Sequence, residues 1–146
     1  MHNLLFLCTG NSCRSQMAEG WARDYKSKHG IDGLTVLSAG IEAHGKNPRA
    51  IAVMQEVGVD ISNQESTRLT DDMLGNVDLV VTVCGHADEN CPVLPAGTSK
   101  IHWALEDPAK AEGTEQQVMQ IFRESRDDIK RRVYKLLDTV KAEASQ

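Results

Sequence analysis

The sequence has no hydrophobic run that approaches the about 20 residues of a membrane span. Its N-terminus carries no cationic stretch, and the apolar run that begins at Leu4 is too short for a signal peptide. The one basic cluster, at 130–132, lies in a helical pattern, and the formal net charge is −5, so nucleic-acid binding has little support. These absences lead us to expect a cytoplasmic protein that binds neither membranes nor nucleic acids.

Cysteine is scarce: there are four, at Cys8, Cys13, Cys84 and Cys91. In the reducing cytosol, catalytic or redox roles for cysteine outrank structural disulfides. Internal repeats, linkers and low-complexity tracts are absent as well, and 146 residues suit one domain that is large enough to bury a core. We therefore expect a single domain over residues 1–146.

What is present is an alternation of strand and helix patterns. The first helical pattern begins near Arg14 and stops at Gly30. Short apolar runs predict four strands, at residues 3–8, 34–38, 78–83 and 100–103. This alternation predicts an α/β fold, a doubly wound, four-stranded parallel sheet in the order 2-1-3-4 that is flanked by helices.

Two further helices are predicted from the residues at their starts. Asn47 precedes a proline and is favoured as a cap, and its helix is expected to bury Val57 and to end at Gly58. Thr114 and Gln117 form a capping-box pattern. The helix beyond them is expected to bury one face, made of Val118, Phe122, Ser125, Ile129, Val133, Leu136 and Val140.

The loop between the first strand and the first helix carries the main chemical signal. Backbone N–H groups in such a turn point inward and the helix N-terminus adds positive potential, so a tetrahedral oxyanion is the natural ligand. Cys8 lies at its base as a nucleophile, with its thiolate stabilised by the same field and by Arg14. A nucleotide-binding Gly-Lys-Ser/Thr loop is excluded, because that triplet is absent. The residues expected to bind the oxyanion are Thr9, Gly10, Asn11, Ser12, Cys13 and Arg14.

Cys84 also follows a predicted strand, and it faces the same crevice as Cys8 if the first and third strands are neighbours. Cys84 and Cys91 are seven positions apart in the sequence, which is about 10 Å in an intact helix, whereas a disulfide needs Cα atoms roughly 4.4–6.8 Å apart. A disulfide between them therefore requires segment 85–91 to unwind or loop out. We expect this segment to be ordered and partly helical in the reduced protein, with Cys91 away from the site.

Three thiols placed in this way can pass a bond along the chain. Cys8 would attack an oxyanion, Cys84 would attack Cys8, and Cys91 would then attack Cys84. Cys13 is expected to be a small packed side chain without a redox role. Structural zinc at Cys84, His86 and Cys91 is disfavoured, because a fourth ligand at the usual spacing is missing.

An attacked oxyanion must lose an oxygen, so a proton donor should stand opposite the nucleophile. Asp107 is the best candidate, because it lies in a loop after a strand end, and Pro108 stiffens that loop. Glu106 is the rival, and spacing alone does not choose between the two carboxylates.

With these residues in place, the chain resembles the thioredoxin-coupled arsenate reductases, which share the fold of the low-molecular-weight tyrosine phosphatases. The loop alone would also fit a phosphatase, and the pair Cys84 and Cys91 is what selects the reductase. The resemblance runs nearly from end to end and is carried by residues 8–20, 38–42, 78–85, 91–92, 102–103 and 107–108.

This resemblance implies arsenate as the substrate, thioredoxin as the electron donor, no bound cofactor and a role in arsenic detoxification. It implies two disulfides in succession, Cys8–Cys84 as the intermediate that forms when arsenite leaves and Cys84–Cys91 as the final bond that thioredoxin reduces. The implied roles of nucleophile, oxygen clamp, thiolate stabiliser and proton donor fall in that order to Cys8, Arg14, Ser15 and Asp107.

Some members of the family also hold a potassium ion near the loop. The matching positions in this chain are Asn11, Glu19 and Ser38. Glu65 and Thr67 stand where Thr and Asp are expected, however, and this departure argues against a potassium site.

A low-molecular-weight protein tyrosine phosphatase is the alternative function. Against it, Asp107-Pro108 is followed by Ala109, Lys110 and Ala111, with no aromatic residue to stack on a phosphotyrosine ring, although a slow phosphatase side activity is compatible with the loop. A third interpretation is a non-catalytic thiol sensor or anion-binding protein that shows no turnover. We expect a monomer.

Overall fold

The structure, a computed structural model, describes residues 2–144 and contains a four-stranded parallel sheet in the order β2-β1-β3-β4. Both the α/β class and the strand order confirm the prediction from the sequence. The strands are β1 (His2–Cys8), β2 (Leu34–Gly40), β3 (Leu79–Thr82) and β4 (Ser99–His102). The helices are α1 (Arg14–His29), α2 (Pro48–Gln55), α3 (Asp71–Gly75), α4 (Gly85–Glu89) and α5 (Glu115–Ala144), and a 3-10 turn, Pro108–Lys110, precedes α5.

β1 is a central strand of the sheet. Leu5, Phe6 and Leu7 are completely buried, as is usual in a parallel sheet that helices cover on both faces. Because β1 pairs in parallel with β3, the two strands end at the same edge of the sheet. The chain therefore delivers Cys8 and Cys84 to one edge, as the sequence predicted.

α1 follows the loop at this edge and packs against α5. It ends at Gly30, whose φ of 59° lies in the left-handed region that glycine adopts without strain. Trp21 is buried between the two helices, and its Nε1 donates to the carbonyl of Arg126 at 3.1 Å. Among residues 2–144, no helix combines the length and the apolar character that crossing a bilayer requires.

The helix caps predicted from the sequence are confirmed. Asn47 Oδ1 accepts a hydrogen bond from Arg49 N at 2.8 Å at the start of α2. Before α5, Gln117 N donates to Thr114 Oγ1 at 3.2 Å and Thr114 N donates to Gln117 Oε1 at 2.9 Å. These bonds satisfy backbone groups that the first helical turn leaves without partners.

α2 is shorter than predicted. It ends at Gln55, and the chain turns through Gly58, whose φ is 80°. Val57 therefore leaves the helical face and is 42% exposed, so the prediction that it is buried was wrong. Val53, one turn earlier in α2, is completely buried.

α5 buries Leu137 and Arg126, whereas the predicted Leu136 and Ser125 are only half-buried. Leu136 and Leu137 lie three and four residues after Val133, so helical spacing alone fits both. Arg126 is buried because its guanidinium donates to a carbonyl of α2 at 2.9 Å. The burial of Arg126 was not predicted, because a pattern of apolar residues gives no signal for an arginine that is buried through a hydrogen bond.

Candidate active site

The loop at residues 8–14 curves around a cavity of about 420 Å³. A second segment, 41–47, supports its outer side. Four carbonyls of the loop, those of Cys8, Thr9, Gly10 and Ser12, accept hydrogen bonds of 2.8–3.0 Å from N–H groups of that segment, at Ile41, Glu42, His44 and Asn47. With these carbonyls turned outward, the N–H groups of the turn are left to face the cavity, which is the arrangement of an anion-binding nest.

Asn11 holds the loop in shape from the inside. It is completely buried, and its φ of 49° lies in the left-handed region. Its Oδ1 accepts from Thr67 N at 2.7 Å, and its Nδ2 donates to Ser15 Oγ at 2.7 Å and to Ser38 Oγ at 3.0 Å. One side chain therefore joins the loop to β2 and to the segment before α3.

Cys8 is buried at the base of the loop, and its sulfur has two polar contacts. Asn11 N donates to Cys8 Sγ at 3.1 Å, and Ser15 Oγ lies 2.8 Å from the same sulfur. Because Ser15 Oγ already accepts from Asn11 Nδ2, its own hydrogen can point at Cys8. Two hydrogen-bond donors then converge on the sulfur, an environment that suits a nucleophilic thiol.

Arg14 is 9% exposed and lines the cavity. Its Nη1 donates to Leu105 O at 2.9 Å and to Val83 O at 3.4 Å, and its Nη2 lies 3.7 Å from Asp107 Oδ2. These contacts fix the plane of the guanidinium beside the loop. A planar, fixed guanidinium is well suited to hold two oxygens of a tetrahedral anion.

The structure separates the two carboxylates that the sequence left open. Asp107 lines the cavity with Cys8, and its Oδ1 accepts from Ala109 N at 3.0 Å. Glu106 is exposed and lines a neighbouring cavity against α5 instead. Of the two carboxylates, Asp107 is therefore the one that shares the cavity with Cys8.

Cys84 lines the same cavity and is 5% exposed. It caps α4, and its Sγ accepts from Ala87 N at 3.3 Å. The same sulfur lies 3.2 Å from Thr9 Oγ1, which in turn lies 3.2 Å from His86 Nδ1. The second thiol is therefore connected to the loop of the first.

The other two thiols differ from this pair. Cys91 is half-buried beyond the end of α4 and is not among the residues that line the cavity, all of which lie in the described part of the chain. Burial raises the pKa of Cys91. Cys13 also lines the cavity, but it is only 3% exposed, and burial raises its pKa to about 12. All four cysteines are free thiols, and segment 85–91 is partly helical, as expected for the reduced protein.

The residues matched to a potassium site are engaged with one another. Glu19 Oε1 accepts from Ser38 Oγ at 2.5 Å, and Glu19 Oε2 lies 2.7 Å from Arg23 Nε. Asn11 directs its Nδ2, not its oxygen, towards Ser38. Because the carboxylate already has a cationic partner and the amide oxygen points elsewhere, these residues do not fit a potassium ion.

Some groups at the cavity have no signal in the sequence. Segment 41–47 is irregular, and its contribution is made by backbone N–H groups that any residue would supply. Gln16 Nε2 donates to the carbonyl of Asn11 at 3.1 Å from a position that reads as an ordinary helix residue. His44, His86 and Lys110 line the cavity as exposed side chains.

A strand that delivers a cysteine into an anion-binding loop ahead of a helix, with an aspartate opposite, defines a phosphatase-like class of protein. The model of the low molecular weight phosphotyrosine protein phosphatase family matches residues 3–146, and the chain belongs to this family.

Within the family, the chain is similar to proteins named arsenate reductase. The arsenate reductase of Halalkalibacterium halodurans is 50% identical over 138 residues, which are 94% of this chain and 96% of the relative. A solved structure of an arsenate reductase in the phosphate binding state is 35% identical, with a TM-score of 0.74 over 95% of this chain and 98% of that one. A thioredoxin-dependent arsenate reductase of Corynebacterium glutamicum is 28% identical, with a TM-score of 0.76 over 98% of this chain and 63% of that one.

Proposed function

We propose that this protein is a cytosolic arsenate reductase that converts arsenate to arsenite through Cys8, Cys84 and Cys91, with thioredoxin as the electron donor, and so serves arsenic detoxification. One observation carries this proposal: the free thiols Cys8 and Cys84 line the same cavity as Arg14, and the third thiol in that cavity, Cys13, has a pKa raised by burial. A phosphoryl group on cysteine has only hydrolysis open to it, whereas thiol-bound As(V) can be reduced by a second thiol. The names of the similar proteins support the same substrate.

The first step is a substitution without oxidation. Arsenate binds in the loop, where the N–H groups and Arg14 neutralise its oxygens. Cys8 Sγ forms a bond to arsenic while one oxygen departs, and Asp107 supplies the proton that lets this oxygen leave as water. Arsenic is still As(V) after this step.

The second step moves two electrons to arsenic, and the third exchanges one disulfide for another. Cys84 attacks Cys8 Sγ, an S–S bond forms, and the electron pair of the S–As bond stays on arsenic, which leaves as arsenite, As(III). Cys91 then attacks Cys84, and Cys8 departs as a thiolate. Thioredoxin returns two electrons and two protons to the Cys84–Cys91 disulfide. Because Cys91 lies outside the cavity, the attack of Cys91 on Cys84 requires α4 to open.

The test couples turnover to NADPH through thioredoxin and thioredoxin reductase. We expect the parent protein to consume NADPH only when arsenate is present. Cys84→Ser should abolish this consumption, and slow hydrolysis of an aryl phosphate by the same preparation would show that the loop is still folded. Cys91→Ser should release one arsenite per protein and stop, with the Cys8–Cys84 disulfide detectable by peptide mapping. NADPH left untouched by the parent protein in the presence of arsenate would refute the proposal.

A phosphatase is the second candidate, because the same loop would accept a phosphate ester and the family description names that activity. A phosphotyrosine ring needs an apolar or aromatic wall. The described residues that line the cavity include no Phe, Tyr or Trp, and exposed Ala109 follows Asp107 and Pro108. Fast aryl phosphate hydrolysis without arsenate-dependent NADPH consumption would favour this function.

A further inference from the structure

A short chain of hydrogen bonds leads from the second thiol to the surface. Cys84 is buried, its Sγ lies 3.2 Å from Thr9 Oγ1, and Thr9 Oγ1 lies 3.2 Å from Nδ1 of exposed His86. Cys84 Sγ accepts a hydrogen bond from Ala87 N at 3.3 Å, which leaves its own hydrogen for Thr9. Thr9 can then accept from Cys84 and donate to His86 when the ring carries its hydrogen on Nε2.

Attack on Cys8 requires a base for the Cys84 thiol. The thiolate is the species that attacks sulfur, and an ordinary cysteine is only a few per cent thiolate at pH 7. The cavity closes off most of the sulfur from water, so the proton needs a route through the protein. A neutral imidazole is a suitable acceptor, because histidine ordinarily changes charge between about pH 5 and 8.

We propose that His86 accepts the Cys84 proton through the Thr9 hydroxyl and so generates the thiolate that attacks Cys8; this inference rests on the proposed function. The Cys84 proton moves to Thr9 Oγ1 as the Thr9 proton moves to His86 Nδ1. The thiolate then forms the S–S bond with Cys8, arsenite leaves with the electron pair, and the His86 proton passes to solvent. No electrons move in the proton transfer itself.

Other charged groups near His86 are engaged elsewhere. On its own helix, Asp88 lies 2.8 Å from Lys100. His44, which also lines the cavity, has its Nε2 2.6 Å from Glu42 Oε2. Besides Cys84 itself, the remaining titratable or charged groups that share the cavity with His86 are Cys8, Cys13, Arg14, Asp107 and Lys110. Of the hydrogen bonds found within residues 2–144, it is those of Thr9 that connect Cys84 to a base.

The decisive measurement isolates Cys84 and needs no arsenate. In protein carrying Cys8→Ser and Cys91→Ser, the rate of Cys84 alkylation by iodoacetamide is followed by peptide mass spectrometry from pH 5.5 to 10. Adding His86→Asn should slow alkylation about tenfold at pH 7 and have less effect as the pH rises, because hydroxide then replaces His86 as the acceptor of the proton. Adding His29→Asn instead is the control, because His29 lies at the far end of α1, and it should change nothing.

Two results would overturn this relay, the proton transfer from Cys84 through Thr9 to His86. Equal alkylation rates at pH 7 would show that His86 does not take the proton. A loss by the same factor at every pH would show that His86 only positions the segment. Thr9→Val should reproduce the His86→Asn profile and Thr9→Ser should restore the parent profile, since only serine keeps the hydroxyl.

The relay and the proposed function fail separately. If the parent protein consumes NADPH with arsenate but the alkylation profiles coincide, only the relay is refuted. If arsenate produces no NADPH consumption, the proposed function is refuted, while the pH profile of Cys84 still shows whether His86 activates it.

Discussion

Gly40 lies where the end of β2 meets the loop. A Cβ at Gly40 would lie 2.2 Å from Glu42 O and 2.7 Å from Asn11 N, and both are backbone atoms. At Gly10, a Cβ would meet Nδ1 of His44 at 2.4 Å, but His44 is an exposed side chain that can rotate away. The two glycines of one loop region therefore differ in what an added methyl group would displace.

We expect Gly40→Ala to lower the free energy of unfolding by about 3 kcal/mol. The added carbon would clash with backbone atoms, and these can move only if the loop and its supporting segment shift with them. Gly10→Ala, as the matched variant, should cost less than about 1 kcal/mol. Urea unfolding monitored by tryptophan fluorescence measures both. Equal losses for the two variants would mean that the close backbone approach at Gly40 is relieved elsewhere.

At the scale of elements, α4 is tied to the edge strand β4 by one ion pair. Asp88 Oδ1 lies 2.8 Å from Lys100 Nζ and accepts from Thr82 Oγ1 at 3.3 Å. The hydrogen bond from Lys100 lowers the pKa of Asp88, and the same bond raises the pKa of Lys100. This pair holds in place the segment that must open, in the proposed function, before Cys91 can attack Cys84.

We expect Asp88→Asn to speed amide hydrogen exchange of residues 85–91 in the reduced protein, because the tie to Lys100 is lost. Glu89→Gln, a neighbouring exposed acid on the same helix, is the control and should leave exchange unchanged. The pKa of Asp88 is lower in the folded protein, so its stabilising effect is present above about pH 4 and is lost as the pH falls further. Exchange in the parent protein should thus approach that of the variant in acid, after correction for intrinsic rates.

The contact between α1 and α5 carries a second pH dependence. Tyr25 donates to Asp138 at 2.5 Å and Tyr134 donates to Asp24 at 2.9 Å. Burial, with the neighbouring carboxylate, raises the pKa of each tyrosine to about 12. A raised pKa stabilises the folded protein below the ordinary tyrosine value of about 10, and this contribution is lost as the pH rises towards 12.

The melting temperature should therefore fall between about pH 10 and 12. Replacing both tyrosines by phenylalanine should flatten this part of the curve, while lowering stability at pH 8 through the lost hydrogen bonds. Calorimetry across the pH range makes the measurement. A fall of the same size in the doubly substituted protein would assign the alkaline loss to other groups.

For the whole molecule, the proposed final disulfide predicts two different structures. The reduced protein has α4 formed and Cys91 outside the cavity. A Cys84–Cys91 bond shortens the distance that this segment spans, so residues 85–91 should lose helical protection while the strands keep theirs. Hydrogen exchange on protein oxidised by arsenate turnover tests this, with Cys91→Ser as the control. Identical exchange in the two states would contradict the rearrangement.

The sequence predicted the fold well because strand and helix periodicities alternate without interruption, and because a short apolar run before Cys8 indicates the buried strand β1. The burial of Val57 was predicted wrongly because α2 ends before it. The burial of Leu136 was predicted wrongly because Leu136 and Leu137 both fit the helical spacing. The sequence placed Cys8, Arg14 and Asp107 at one site, and the three line one cavity, while their catalytic roles stay predictions. It did not foresee the support from segment 41–47, because backbone hydrogen bonds leave no mark on residue identity.

Cys13 lies five residues after Cys8. A disulfide between these two cysteines would be unproductive in the proposed reaction, because it would not involve Cys84. The pKa of about 12 keeps Cys13 protonated at neutral pH, so it is a poor nucleophile towards a sulfur that has been activated next to it. In the proposed reaction, the burial of Cys13 therefore leaves Cys84 as the thiol that attacks Cys8. We expect a variant with an exposed Cys13 to lose activity during turnover, because a Cys8–Cys13 disulfide would form.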